Sequence, residues 1–174
     1  MASTGAGEAI RRSIGAFAAR LKAEVDAAED NSMGPDRRRT ELDRERLFTT
    51  ISTAFVKRDY QTIERAMRAD VVLELPGSSP FAGEHRGLDS VGRYLLGVRQ
   101  FARSNGTPIT FRHSASSMTA SHELTVTGPK HVVEMMTHVT LTFDEDGRIS
   151  SILVEPDDIG LFDHVLMTAF STAS

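Results

Sequence analysis

Few side chains in this chain can move a proton near neutral pH. It holds six histidines and no cysteine, which excludes disulfides, thiolate zinc sites and cysteine nucleophiles. Histidine, with an unperturbed pKa of about 6.5, takes up or releases a proton at neutrality. His113 alternates with Ile109, Phe111 and Ala115, which predicts a place on the apolar face of a strand. Desolvation there would hold the imidazole neutral, able to accept a proton from a carbon beside a carbonyl. His85 follows Gly83-Glu84 in a short loop-strand segment. Tyr94 shares an inward helical face with Val91, Leu95 and Val98 and offers a hydroxyl donor. These three are the candidate catalytic residues. Each also fits a structural role: His113 as a hydrogen-bonded core residue, His85 as a support for Arg86, Tyr94 as packing.

The other polar groups point to less. His122 shares a face with Leu124 and Val126, and His131 with Val133 and Met135, but both stand beside predicted turns, where half exposure is expected. His138 falls on the opposite face of its strand, with Glu134, Thr140 and Thr142. No His-x-His or His-x-x-x-His spacing occurs, so no metal site is expected. Ser78 and Ser79 lack a nucleophile elbow. The glycines at 77, 83 and 87 lack the Lys-Ser/Thr and the following parallel strand unit of a phosphate loop. No cofactor is expected.

The elements that must position these residues follow from periodicity. Ile10, Ile14, Phe17, Leu21 and Val25 predict an amphipathic helix over residues 8–30, broken by Asn31-Ser32-Met33-Gly34-Pro35. Arg37-Arg38-Arg39, next to Pro35, Asp36, Glu41 and Asp43, reads as a solvated linker. Residues 1–40 are therefore an N-terminal extension, and 41–174 the domain proper. Thr40-Glu41-Leu42-Asp43 resembles a capping box at the start of a helix reaching about Arg58. Asp59 caps a short helix carrying Ile63 and Met67. Strands are expected near 70–76, 84–86, 108–118, 122–127, 131–143 and 148–155, with a helix from Asp89 to Asn105-Gly106 and a last one from Ile159 to Phe170. Helices, a strand, a helix and then consecutive strands predict an α+β fold with an antiparallel sheet.

A chain of 174 residues with 40% hydrophobic and 25% charged residues is ordinary for one globular domain. Net charge is −4, and the arginine triplet is the one basic run, so a nucleic-acid partner is not expected. No apolar run approaches the roughly 18 residues of a membrane helix, and residues 1–8 lack a signal-type apolar stretch. The expected location is cytoplasmic.

Three stretches carry a resemblance. Ala54-Phe55-Val56-Lys57-Arg58-Asp59-Tyr60-Gln61-Thr62-Ile63, the loop Pro76-Gly77-Ser78-Ser79-Pro80 with Ala82-Gly83-Glu84-His85-Arg86-Gly87, and the hairpin Phe143-Asp144-Glu145-Asp146-Gly147-Arg148-Ile149 together resemble the SnoaL-like branch of the nuclear transport factor 2-like superfamily. That superfamily includes ketosteroid isomerase. Pro156-Asp157-Asp158-Ile159-Gly160-Leu161-Phe162-Asp163 resembles a tail seen in some members. The match spans residues 42–166. It implies a cone-shaped, strongly curved antiparallel sheet wrapped by helices around an apolar pocket.

The isomerase's tyrosine donor, carboxylate base and protonated aspartate align with Ile51, Leu75 and Val139, none of which transfers a proton, so that mechanism is disfavoured. What the resemblance implies instead is a cofactor-independent acid–base enzyme of isomerase, cyclase or dehydratase type. Its substrate would be a small, largely apolar carbonyl or polyketide-like molecule. The expected pocket walls are Ile51, Phe55, Leu73, Leu75, Phe81, Val98, Val139, Ile152 and Val154. The alternative is a non-catalytic binding or dimerisation module. A homodimer is expected, paired through the sheet face that carries Val132, Glu134, Met136, His138 and Thr140.

Overall fold

The computed structural model describes residues 35–104, 110–129 and 131–171. The helix expected over residues 8–30, and Ile109 of the predicted third strand, lie outside them. Helix α1 (Pro35–Lys57) is followed by α2 (Tyr60–Arg65), strands β1 (Met67–Leu75) and β2 (Gly83–Arg86), and helix α3 (Leu88–Val98). Then come β3 (Ala102–Ser104), β4 (Thr110–His113), β5 (Ser117–Thr127), β6 (Val132–Phe143), β7 (Ile149–Pro156) and helix α4 (Ile159–Ser171).

Helix α1 starts at Pro35, not at the capping box. Proline suits a first helical turn because its fixed φ is helical and its missing N–H has no intrahelical acceptor there. The Thr40 hydroxyl donates to the Asp36 carbonyl at 3.0 Å, so it bonds back along the helix instead of capping it. Arg37, Arg38 and Arg39 are thus helical and not a linker. Arg37 pairs with Glu41 one turn on, at 3.1 Å, and the helix runs through the boundary expected at residue 40. Asp59 caps α2 as expected, accepting from the Thr62 amide at 3.2 Å.

The strands form one curved, unclosed sheet in the order β2-β1-β7-β6-β5-β3, with β4 also on β5. Its backbone is the β5–β6 ladder, antiparallel from Ser117↔Thr142 to Thr127↔Val132. The predicted strand 108–118 is in fact two strands. Ser114 N donates to the Ser117 carbonyl at 2.9 Å and the two hydroxyls bond each other at 2.7 Å. Serines that bond locally in this way favour a turn over a strand. Ala115 is consequently exposed in that turn, and β5 continues unbroken through the position where a turn was predicted before His122. Arg44 of α1 holds the turn, donating to the carbonyls of Ser114 and Ala115, each at 3.0 Å. One pair departs from the antiparallel expectation: β1 lies parallel to β7, with a register shift between Met67 and Val72. Such irregularities bend a sheet locally. The short β3, not predicted, pairs with the far half of β5.

Strand alternation sends Val71, Leu73 and Leu75 inward, where each is essentially unexposed. Val91, Tyr94 and Val98 of α3 cover β1 with the same helical spacing read from the sequence. Phe162, Val165 and Leu166 of α4 complete the core. One polar clamp joins the far ends of the domain. Buried Asp163 of α4 accepts from the Ser79 amide at 3.1 Å, the Ser78 hydroxyl at 3.0 Å and the Ser78 amide. Gly77 precedes them at φ +130, and a Cβ there would stand 2.7 Å from both carboxylate oxygens. Replacing Asp163 by Ala strands two loop amides and should lower the unfolding free energy by about 2–4 kcal/mol. Urea denaturation reads this directly, and an unshifted midpoint would mean that the loop holds itself.

Candidate active site

The inner face of the sheet, with α1 and α3 laid across it, encloses a cavity of about 160 Å³. Its wall is almost entirely carbon. Ile51, Phe55, Leu73, Val98, Val139, Ile152 and Val154 all line it, as does Tyr94. Leu75 and Phe81, expected beside them, do not. Leu75 lies in the packed core, with 0% of its surface exposed. Phe81 packs beside Phe101, at 6.1 Å between ring centroids, and covers Gly97 so closely that a Cβ there would overlap the ring.

The two candidate histidines stand outside the cavity wall, each engaged elsewhere. His85 Nε2 lies 2.8 Å from the Phe81 carbonyl. Its ring rests on Tyr94, with centroids 5.0 Å apart, so it backs a cavity residue without lining the cavity. His113 Nε2 lies 2.8 Å from Glu45 Oε1 of α1. That carboxylate is sixty-eight positions away in the sequence. His113, His85 and Tyr94 therefore do not converge on one point.

The histidine that does line the cavity is His122. On β5 it alternates with Ser121 and Glu123, so its ring turns inward with Leu124. Its Nδ1 lies 2.9 Å from the Ser104 hydroxyl of β3, and Phe48 stands edge-on to its ring at 6.3 Å. Its Nε2 is buried and has no hydrogen-bond partner. Directly opposite in the ladder is Thr137, also a cavity residue, whose Oγ1 is likewise buried without a partner. Two unpaired polar atoms on facing residues of an otherwise apolar wall are exceptional, since buried polar groups almost always find partners. The signal was in the sequence: the alternation His122, Leu124, Val126 is an inward face. It was discounted because a turn was expected just before His122.

Burial lowers the His122 pKa, and the electrostatic influence of His138 lowers it further, which favours the neutral ring. Burial raises the Tyr94 phenol well above its ordinary value, which keeps it a hydrogen-bond donor. On the outer sheet face Ser121 Oγ, His138 and Asp157 form a chain, with contacts of 2.8 and 2.7 Å. The pairing of β6 with both β5 and β7 engages the backbone around that chain. Among the described residues no group of three or more potential metal ligands comes together, and no helix is long and apolar enough to cross a membrane.

No family model matches the sequence, and no curated protein does. Solved structures do. A cystatin-like-fold protein of unknown function from Xanthomonas campestris is 22% identical, over 69% of this chain and 95% of its own, with a TM-score of 0.60. An NTF2-like protein of unknown function from Burkholderia pseudomallei is 20% identical, over 70% and 95%, at 0.61. A protein from Shewanella denitrificans classed as a SnoaL-like polyketide cyclase is 14% identical, over 74% and 96%, at 0.52. At such identities the likeness is one of architecture, and with the element order and the curved sheet it shows that this chain has the nuclear transport factor 2-like fold.

Proposed function

We propose that the chain is a cofactor-independent acid–base enzyme, of isomerase, cyclase or dehydratase type, acting on a small and largely apolar carbonyl compound. The observation that carries this reading is the unpaired His122 Nε2 inside a cavity walled by carbon. If Nδ1–H donates to the Ser104 oxygen, Nε2 presents a lone pair to the cavity. That lone pair takes a proton from a carbon next to the substrate carbonyl. The Thr137 or Tyr94 hydroxyl donates a hydrogen bond to the enolate oxygen, and the imidazolium then returns its proton to carbon or to a leaving hydroxyl. A neutral imidazole is the required starting state, and burial supplies it. The likeness in fold to a protein classed as a polyketide cyclase supports the same class of chemistry.

A second reading has its own observation. Among the described residues no carboxylate lines the cavity, and the polar ones that do are Ser52, Tyr94, Ser104, His122 and Thr137. A binding module needs no stronger base than this wall provides.

Deuterium uptake from heavy water at the α-carbon of a panel of small apolar ketones, followed by proton NMR, separates the two. The wild type should exchange above the buffer rate, and His122→Gln should lose about 10²–10⁴-fold. Exchange at the buffer rate throughout, or the same rate in both proteins, would leave the binding module. The wild-type rate should be flat across neutrality and fall on the acid side as His122 becomes protonated.

Stability should report the same group. His122 is harder to protonate folded than unfolded, so its contribution is complete above the ordinary histidine value of 6.5. It is lost as pH falls below that value towards the lowered folded one. The stability difference between wild type and His122→Gln, measured by denaturation from pH 8 down to about 5, should therefore shift against the wild type on the acid side. A pH-independent difference would place His122 in water.

A further inference from the structure

A second concavity, of about 760 Å³, adjoins the cavity. The two share Phe55, Val56, Ala102 and Ser104 as a common wall. Its character is opposite to that of the cavity. Arg58, Arg99 and Arg103 line it, and among the described residues no carboxylate does, in a chain whose net charge is −4. None of the three arginines makes an ion pair among the described residues. Arg58 and Arg103 are exposed at the rim.

Arg99 is different. Its Nη2 donates to the Val56 carbonyl at 2.9 Å, and its guanidinium stacks over the Phe55 ring at 5.7 Å. These two contacts fix its plane, while Nη1 is buried with no partner. A guanidinium placed by these two contacts, among arginines that carry no ion pair, suits an anionic oxygen.

We infer that the ligand of this protein is an amphipathic organic acid whose carboxylate binds Arg99 and whose apolar body runs past Ser104 into the cavity. This rests on the reading of the cavity as a ligand site, though not on catalysis by His122. Ser104 stands at the junction of the two spaces and bonds His122 Nδ1. A molecule anchored at Arg99 and passing Ser104 would bring its apolar body to the cavity that His122 and Thr137 line. A carboxylate fits better than a dianionic phosphate, because only the half-buried Arg99 is held in place and the other two arginines are exposed.

The test titrates three probes into the full chain by NMR: octanoate, methyl octanoate and octyl phosphate. Octanoate should bind at least about tenfold more tightly than its methyl ester, and the preference should narrow as salt is raised. Arg99→Met, which keeps the stacking surface, should bring acid and ester to equal affinity, while Arg99→Lys should retain part of the preference. His122→Gln should keep the preference even where it abolishes deuterium exchange, so the two proposals fail separately. Equal binding of acid and ester by the wild type would overturn the inference, as would a preference that survives in Arg99→Met. Octyl phosphate binding tenfold above octanoate would overturn the choice of carboxylate. The wild-type salt series needs no variant, so a poorly folded Arg99→Met leaves the test decisive.

Discussion

The continuous register between β5 and β6 is the constraint on which the rest depends. Because side chains alternate strictly along a strand, one pairing scheme decides eleven positions at once. It turns His122, Leu124, Thr137, Val139 and Leu141 inward and Ser121, Glu123, His138 and Thr140 outward. The cavity polarity follows from this alone. A slip of one residue would break both the His122–Thr137 and the Ser121–His138 pairs and turn the outward residues of the slipped strand to the core face. The turn at Ser114–Ser117, pinned by Arg44, closes one end of the ladder, and the hydrogen bond from Gly128 N to the His131 carbonyl at 2.7 Å closes the other.

Around that ladder the helices have limited freedom. The sheet curves, so α1 and α3 meet its inner face across a hollow that their side chains do not fill. Phe48, Ile51 and Phe55 come from one helix, and Tyr94 and Val98 from the other, at helical spacing. The clamp of Asp163 on the Ser78–Ser79 loop ties the end of β1 to α4. Phe162, adjacent to the clamp, closes the wall of the same cavity. A carboxylate bound by two backbone amides thus positions an apolar wall from a distance, which is a rigid way to shape a cavity without placing charge inside it.

Local order was legible in the sequence, and distant pairing was not. The inward faces of β1, β6 and α3 follow from periods of two and 3.6, and most cavity residues followed with them. The parallel pairing of β1 with β7 joins segments some eighty positions apart, and nothing in either segment announces its partner. The same limit governs the histidines. His113 looked like an apolar-face base because Glu45, sixty-eight positions away, is invisible from its strand. His85 looked like a pocket residue because the Phe81 carbonyl that holds it is a backbone group. His122 was read as a turn residue because the serines at 114–117, and not the segment before His122, form the reversal. Helix α1 was started late because a capping-box pattern at Thr40 competed with a proline already suited to begin the helix.

Polar atoms left open in the interior are the most informative feature of the molecule. Each costs about 1–3 kcal/mol, set against a total stability of roughly 5–15 kcal/mol for a domain of this kind. Among the described residues five side-chain atoms are in this state. Ser79 Oγ and His113 Nδ1 belong to side chains outside the cavity and groove. Arg99 Nη1, His122 Nε2 and Thr137 Oγ1 belong to side chains that line two adjoining concavities, Arg99 in one and the other two in the apolar cavity. Random imperfection would scatter such atoms through the fold. Their gathering around two spaces with a common wall, a cation in one and a neutral base in the other, is what a site looks like when the groups that satisfy it arrive with the ligand.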